Sequence, residues 1–129
     1  MLKNYNVWTE IKTFLQNIQP RVYFRNGDIW FCHMGQNIGF EQNGRGNKFL
    51  RPVIVLKKFN NNIFWAIPLT RTLKNNKYYH LFSFQANSQS AAILTQLRLM
   101  DGKRLKYKTG KVRLEEMHKI KEKLKHLLE

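Results

Sequence analysis

"LRPVIVLKKFNNNIFWAIPLT", residues 50–70, holds two apolar runs on either side of a polar asparagine-rich segment. Short β-branched and aromatic runs separated by turn residues spell a β-hairpin, and each run is too short to be a core helix. Pro52 falls at the start of the first run, where a missing amide proton is tolerated. The hairpin therefore begins at Arg51 and ends at Thr70, which sets a guanidinium and a hydroxyl at the same end of two paired strands.

The same period continues on both sides. VYF from Val22, DIWFCHM after Gly27, YYHLFSF over 78–84 and AAILTQLRLM over 91–100 read as further strands, each bounded by Gly, Asn or Pro. No helix longer than a turn fits between residues 21 and 105, so the middle is expected to be a strongly twisted antiparallel sheet or small barrel. VWTEIKTFLQNIQ, residues 7–19, places Val7, Ile11, Phe14, Leu15 and Ile18 at helical spacing before Pro20. Leu114, Met117, Ile120, Leu124, Leu127 and Leu128 define a closing amphipathic helix, with Glu115 and Glu116 at its start and Lys123 and Lys125 toward its end, as the helix dipole favours. Arg113 stands where a capping Ser, Thr or Asp is usual. The expectation is a mainly β (α+β) single domain over 1–129, with a helical extension over 1–20 and a core over 21–129.

Charge bounds the partners. Lys and Arg number 23 against 8 Asp and Glu, a formal +15 in 129 residues. Such an excess suits a polyanion or an acidic protein. The Lys103–Arg113 stretch carries six cations and no acid, which by itself reads as a solvated face or loop. No apolar run approaches the roughly 20 residues of a spanning helix, and MLKNYNVW lacks the apolar core of a signal peptide. A cytoplasmic protein without membrane attachment is expected.

Few catalytic chemistries fit. Cys32 is the single cysteine, in an apolar strand that favours a buried thiol. His33, His80, His118 and His126 lack metal-ligand spacing, and Cys32 and His33 point to opposite faces, so no metal and no cofactor are expected. GRGNK at 44–48 is not a phosphate-binding loop, since it lacks the GxxxxGK[ST] pattern and no helix follows. What remains is polar and basic. GQNIGFEQNGRGNKFL, residues 35–50, presents Glu41, Gln42, Arg45 and Lys48 in a loop suited to an RNA backbone. Gln96 and Arg98 are expected on one strand face with Leu97 and Leu99 on the other, ahead of an Asp101-Gly102 turn.

In order, GDIW at 27–30, GFEQNG at 39–44, RPVIVL at 51–56, IPLT at 67–70, QLRLMD at 96–101, KRL at 103–105 and the closing helix resemble the MazF/PemK family of toxin endoribonucleases. The resemblance covers about residues 24–128 and implies an SH3-like or CcdB-like fold, usually a homodimer. It implies metal-independent cleavage of single-stranded RNA, often mRNA, and an acidic antitoxin as neutralising partner. By the same resemblance Arg51 and Thr70 are the catalytic pair, with Glu41 in the loop over the site and available as a base. Gln42, Arg45, Lys48, Gln96 and Arg98 are candidates for RNA contact. The sequence departs from the family in two places. Arg51 lies ten positions after Glu41, a longer loop than is usual, and Ile93 and Thr95 stand where some members carry an Arg and an Asp. A same-fold toxin acting on a protein such as DNA gyrase, or a non-catalytic nucleic-acid-binding barrel, are the rival functions.

Overall fold

The computed structural model describes residues 22–34, 50–85 and 88–129. The helix expected over 7–19 and the loop residues Glu41, Gln42, Arg45 and Lys48 lie outside them. Among the described residues seven strands form one curled antiparallel sheet: β1 (Asp28–His33), β2 (Leu50–Lys58), β3 (Ile63–Thr70), β4 (Tyr79–Gln85), β5 (Ser88–Ile93), β6 (Arg98–Asp101) and β7 (Leu105–Lys111). They follow the order β4-β5-β3-β2-β1-β7, with β6 also paired to β3. The helix α1 (Leu114–Leu127) follows β7.

The central hairpin β2–β3 is the one read from the sequence. Its turn is built by Asn60, whose side-chain oxygen accepts from the amides of Asn62 and Ile63 at 2.7 and 3.0 Å, the backbone-mimicking turn that asparagine favours. Strand β3 changes its outer partner midway: Ile63–Ala66 pair with β6, and Leu69–Thr70 pair with β5. Pro68 sits at that changeover, where a strand proline has no outer ladder to interrupt.

Residues 53–56 of β2 are buried on both faces, because each face carries its own apolar cluster. One gathers Ile29, Ile54, Ile67 and Leu69 under Met117 and Ile120 of α1. The other gathers Trp30, Cys32, Val53, Val55, Phe64 and Ala66 under Phe24, Met100 and Leu105. Alternation along the strands assigns these sets, since Trp30 pairs with Val53 and Ile29 with Ile54. The GDIW segment has a structural use here. Gly27 takes φ +91° and ties β2 to the residue that follows β7, donating to Val55 O at 2.7 Å and accepting from Val112 N at 2.8 Å. The buried Asp28 carboxylate accepts from Arg25 N at 2.9 Å and Trp30 Nε1 at 3.3 Å, and faces Lys108 Nζ at 3.3 Å.

The terminal strands β4 and β7 meet through side chains. Gln85 Nε2 donates to Thr109 Oγ1 at 3.3 Å. The Phe84 ring lies so close to Gly110 that a Cβ there would stand 2.5 Å from Phe84 Cδ2. This contact curls the sheet toward closure.

Several expectations are corrected. Residues 22–24 are not a strand. The segment 91–100 is not continuous: β5 ends at Ile93, a 3₁₀ turn spans Leu94–Gln96, and β6 begins at Arg98. Gln96 and Arg98 therefore do not share one strand face, and Leu99 is 55% exposed rather than inward. The basic run from Lys103 is a solvated face, as one of its two expected readings had it, and most of it is strand β7. On α1, Met117 and Ile120 are buried and Leu124 and Leu127 pack partly buried against the same cluster, but Leu114 and Leu128, at the helix start and just past its end, are exposed. Its N-cap is Arg113, with no side-chain capping bond, as the sequence indicated.

Candidate active site

Arg51 opens β2 and Thr70 closes β3. Val53 pairs with Pro68 and Ile54 with Ile67, a register that, carried two residues further, sets Arg51 opposite Thr70. On the far sides Arg51 pairs with Cys32 and Thr70 with Ala91, so one cross-strand row runs through four adjacent strands. Both residues line a cleft of about 330 Å³ at this end of the sheet. Phe31, Leu69 and Phe84 supply apolar lining, while Gln85, Ser90 and Thr109 supply hydrogen-bonding groups. The cleft is thus formed where β4 and β7 approach each other.

The two candidate groups differ in their restraints. Thr70 is half-buried, and its Oγ1 accepts from the amide of Thr72 at 3.1 Å. That bond fixes the hydroxyl oxygen and leaves its own proton free to donate to a ligand. Arg51 is exposed, and among the described residues no carboxylate pairs with it. Arg71, exposed and next in chain after Thr70, adds a second guanidinium to the lining. An anionic ligand in this cleft would meet two cations and a hydroxyl above an apolar bed.

Gln96 and Arg98 are exposed but do not line the cleft. Arg98 of β6 pairs with Ala66 of β3 and lies with Arg104 near Cys32. Arg104 also donates Nη1 to His33 O at 3.3 Å. Both arginines thus lie near Cys32, the cross-strand partner of Arg51, but outside the lining of the cleft. Sequence reasoning missed Phe31, Phe84, Gln85, Ser88, Ser90 and Thr109. Their signal is tertiary, since they come from β1, β4, β5 and β7, and the two ends of the strand order, β4 and β7, meet only through side chains.

Cys32 and His80 are buried and structural. Cys32 is fully buried, and burial pushes its thiol up to about 12 despite the nearby Arg104 and Arg98, so it is inert as a nucleophile near neutrality. His80 is buried on β4, its Nε2 2.6 Å from Glu116 Oε1 on α1. Burial pushes the His80 imidazole below its ordinary range, against the pull of the Glu116 hydrogen bond. The hydrogen bond to His80 in turn holds Glu116 below the usual carboxylate range. The pair fastens α1 to the sheet. Among the described residues no group of three or more His, Cys, Asp or Glu is placed to hold a metal ion, and no helix is long and apolar enough to cross a membrane.

Comparison with known proteins adds to this geometry. A family model, that of the PemK-like, MazF-like toxins of type II toxin–antitoxin systems, matches residues 25–128. No curated protein matches the chain. Among solved structures, MazF of Deinococcus radiodurans superposes with a TM-score of 0.62 at 17% identity, over 83% of this chain and 98% of that one. An endoribonuclease in complex with its cognate antitoxin, from a mycobacterial species, gives a TM-score of 0.64 at 14% identity, over 82% and 95% of the two chains. The MazE–MazF complex of Deinococcus radiodurans gives 0.63 at 15% identity, over 83% and 97%. At such identities the likeness is one of fold.

Proposed function

The chain belongs to the PemK-like, MazF-like toxins of type II toxin–antitoxin systems, and from that premise we propose that it is a metal-independent endoribonuclease that cuts single-stranded RNA. One observation carries the reading: Arg51 and Thr70, brought together by the β2–β3 register, line a single solvent-open cleft on a chain of net charge +15.

The chemistry proposed is attack of a ribose 2′-oxygen on its own 3′-phosphate. A 2′-O–P bond forms and the P–O5′ bond breaks, leaving a 2′,3′-cyclic phosphate and a 5′-hydroxyl. The step needs an acceptor for the 2′ proton, a donor to the leaving oxygen, and positive charge on the phosphorane. Arg51 can bind two phosphorane oxygens at once and so supply the charge. Thr70, with its oxygen held by the Thr72 amide, orients a phosphate oxygen; as a hydroxyl it is a poor base. Glu41 is the proposed proton acceptor, and Gln42, Arg45 and Lys48 beside it, with Gln96 and Arg98, are the proposed contacts to flanking RNA. An acidic antitoxin, a homodimer and a cytoplasmic setting complete the proposal.

Incubating the purified protein with single-stranded RNA in EDTA tests it. Wild type should release fragments ending in 2′,3′-cyclic phosphate, and Arg51→Ala should release almost none. An inert wild type, or equal cleavage by the variant, would overturn the assignment. Binding without cleavage would then favour a nucleic-acid-binding barrel, and neither binding nor cleavage a toxin aimed at a protein.

A further inference from the structure

The aromatic lining of the cleft continues outward onto β7. Phe31 stacks on Tyr107, ring centroids 5.1 Å apart and planes 28° from parallel. The two residues are cross-strand partners. Tyr107 is 52% exposed, so one ring face rests on Phe31 and the other meets solvent. Two residues along the same strand face, Thr109 lines the cleft and accepts from Gln85. A flat aromatic surface therefore leads into a pocket that has polar groups on its wall and Arg51, Arg71 and Thr70 on its lining.

An isolated exposed tyrosine is unremarkable, but one stacked on a cleft-lining phenylalanine is a platform in position. Unpaired bases are held on aromatic side chains by face-to-face contact, while cations take the adjoining phosphates. Resting on the endoribonuclease reading, we propose that the Tyr107–Phe31 stack is a subsite for one unpaired nucleobase next to the bond to be cut. The base lies on the open face of Tyr107, Gln85 and Thr109 meet its polar edge, and Arg51 or Arg71 takes its phosphate. The subsite gives affinity and register to the substrate. Tyr107 positions; it takes no part in proton transfer.

The test uses a fluorescein-labelled 2′-O-methyl RNA of mixed sequence, which has no free 2′-hydroxyl and cannot be cut by the proposed route, beside an abasic strand of equal length. Because stacking tolerates any base, Tyr107→Ala should weaken binding of the base-bearing strand by roughly tenfold or more. It should leave the abasic strand unaffected, and Tyr107→Phe should bind as wild type does. Equal binding by Tyr107→Ala and wild type, or equal loss on both strands, would overturn the proposal. The nuclease reading fails separately. A wild type that leaves RNA uncut yet shows base-dependent loss with Tyr107→Ala keeps the platform and loses the enzyme. A wild type that cuts RNA and is indifferent to Tyr107 keeps the enzyme and loses the platform.

Discussion

The amide of Thr72 donates to Oγ1 of Thr70 over 3.1 Å, so the chain holds a hydroxyl oxygen in place just where β3 ends and the cleft begins. A hydroxyl so fixed spends no reorganisation when a phosphate arrives, the condition under which a single hydrogen-bond donor contributes most to a transition state. Thr70→Ser keeps the oxygen and should retain cleavage within about tenfold. Thr70→Val keeps the shape and removes the donor, and should lower kcat by roughly a hundredfold, the scale of one lost oxyanion contact. A fluorogenic RNA substrate and a thermal melt of each variant read activity and fold together.

Arg51 stands exposed at the start of β2, so its substitution disturbs no core. Lysine there restores the charge but not the planar pair of donors. Arg51→Lys should therefore bind RNA nearly as wild type does, with a similar salt dependence, while cutting it at least about tenfold more slowly. Recovery of full activity by lysine would mean that charge alone suffices at this position.

The central hairpin and α1 were legible because local pattern and tertiary demand agree there. Asn60 turns the chain where the sequence breaks its apolar runs, and Met117 and Ile120 are buried at the spacing that predicted them. Arg51 and Thr70 were legible as strand ends, and their meeting follows from hairpin register alone. The remainder of the cleft was not. Phe31, Phe84 and Thr109 converge because the sheet curls until β4 reaches β7, a contact between distant strands that leaves no period in the sequence. The segment around Gln96 misled for a local reason. Its alternation suits a strand, but the amide of Leu97 bonds back to Leu94 O in a 3₁₀ turn, which resets the faces of Arg98 and Leu99.

Gly110 lies where β7 meets the Phe84 ring of β4. A methyl there would sit 2.5 Å from the Phe84 ring, well inside van der Waals contact, and Phe84 is itself packed against the core and the cleft. Gly110→Ala should lower stability by about 1–3 kcal/mol, the usual cost of overpacking. Adding Phe84→Leu should recover part of that loss, because the smaller side chain vacates the space. Urea unfolding of the two single variants and the double variant measures the coupling, and strict additivity would show that the ring and the glycine do not constrain each other.

His80 and Glu116 make stability depend on pH in a direction that their environment dictates. Burial lowers the folded-state proton affinity of His80 from its ordinary 6.5, so in the window below that value the unfolded chain binds the proton more readily. Unfolding is then favoured as pH falls toward the folded-state value. Glu116, held low chiefly by its hydrogen bond to His80, adds a second loss of the same sign below its ordinary 4.5. Stability should thus be full at neutral and mildly alkaline pH and decline on acidification, first through the imidazole window and then through the carboxylate one. His80→Asn can still donate a hydrogen bond but does not titrate. It should flatten the first decline while leaving the second, at some cost in stability at neutral pH. Urea midpoints for wild type and variant at pH 5, 6, 7 and 8, values set by the imidazole range, decide the matter: parallel curves would mean that the buried histidine is not the group being titrated.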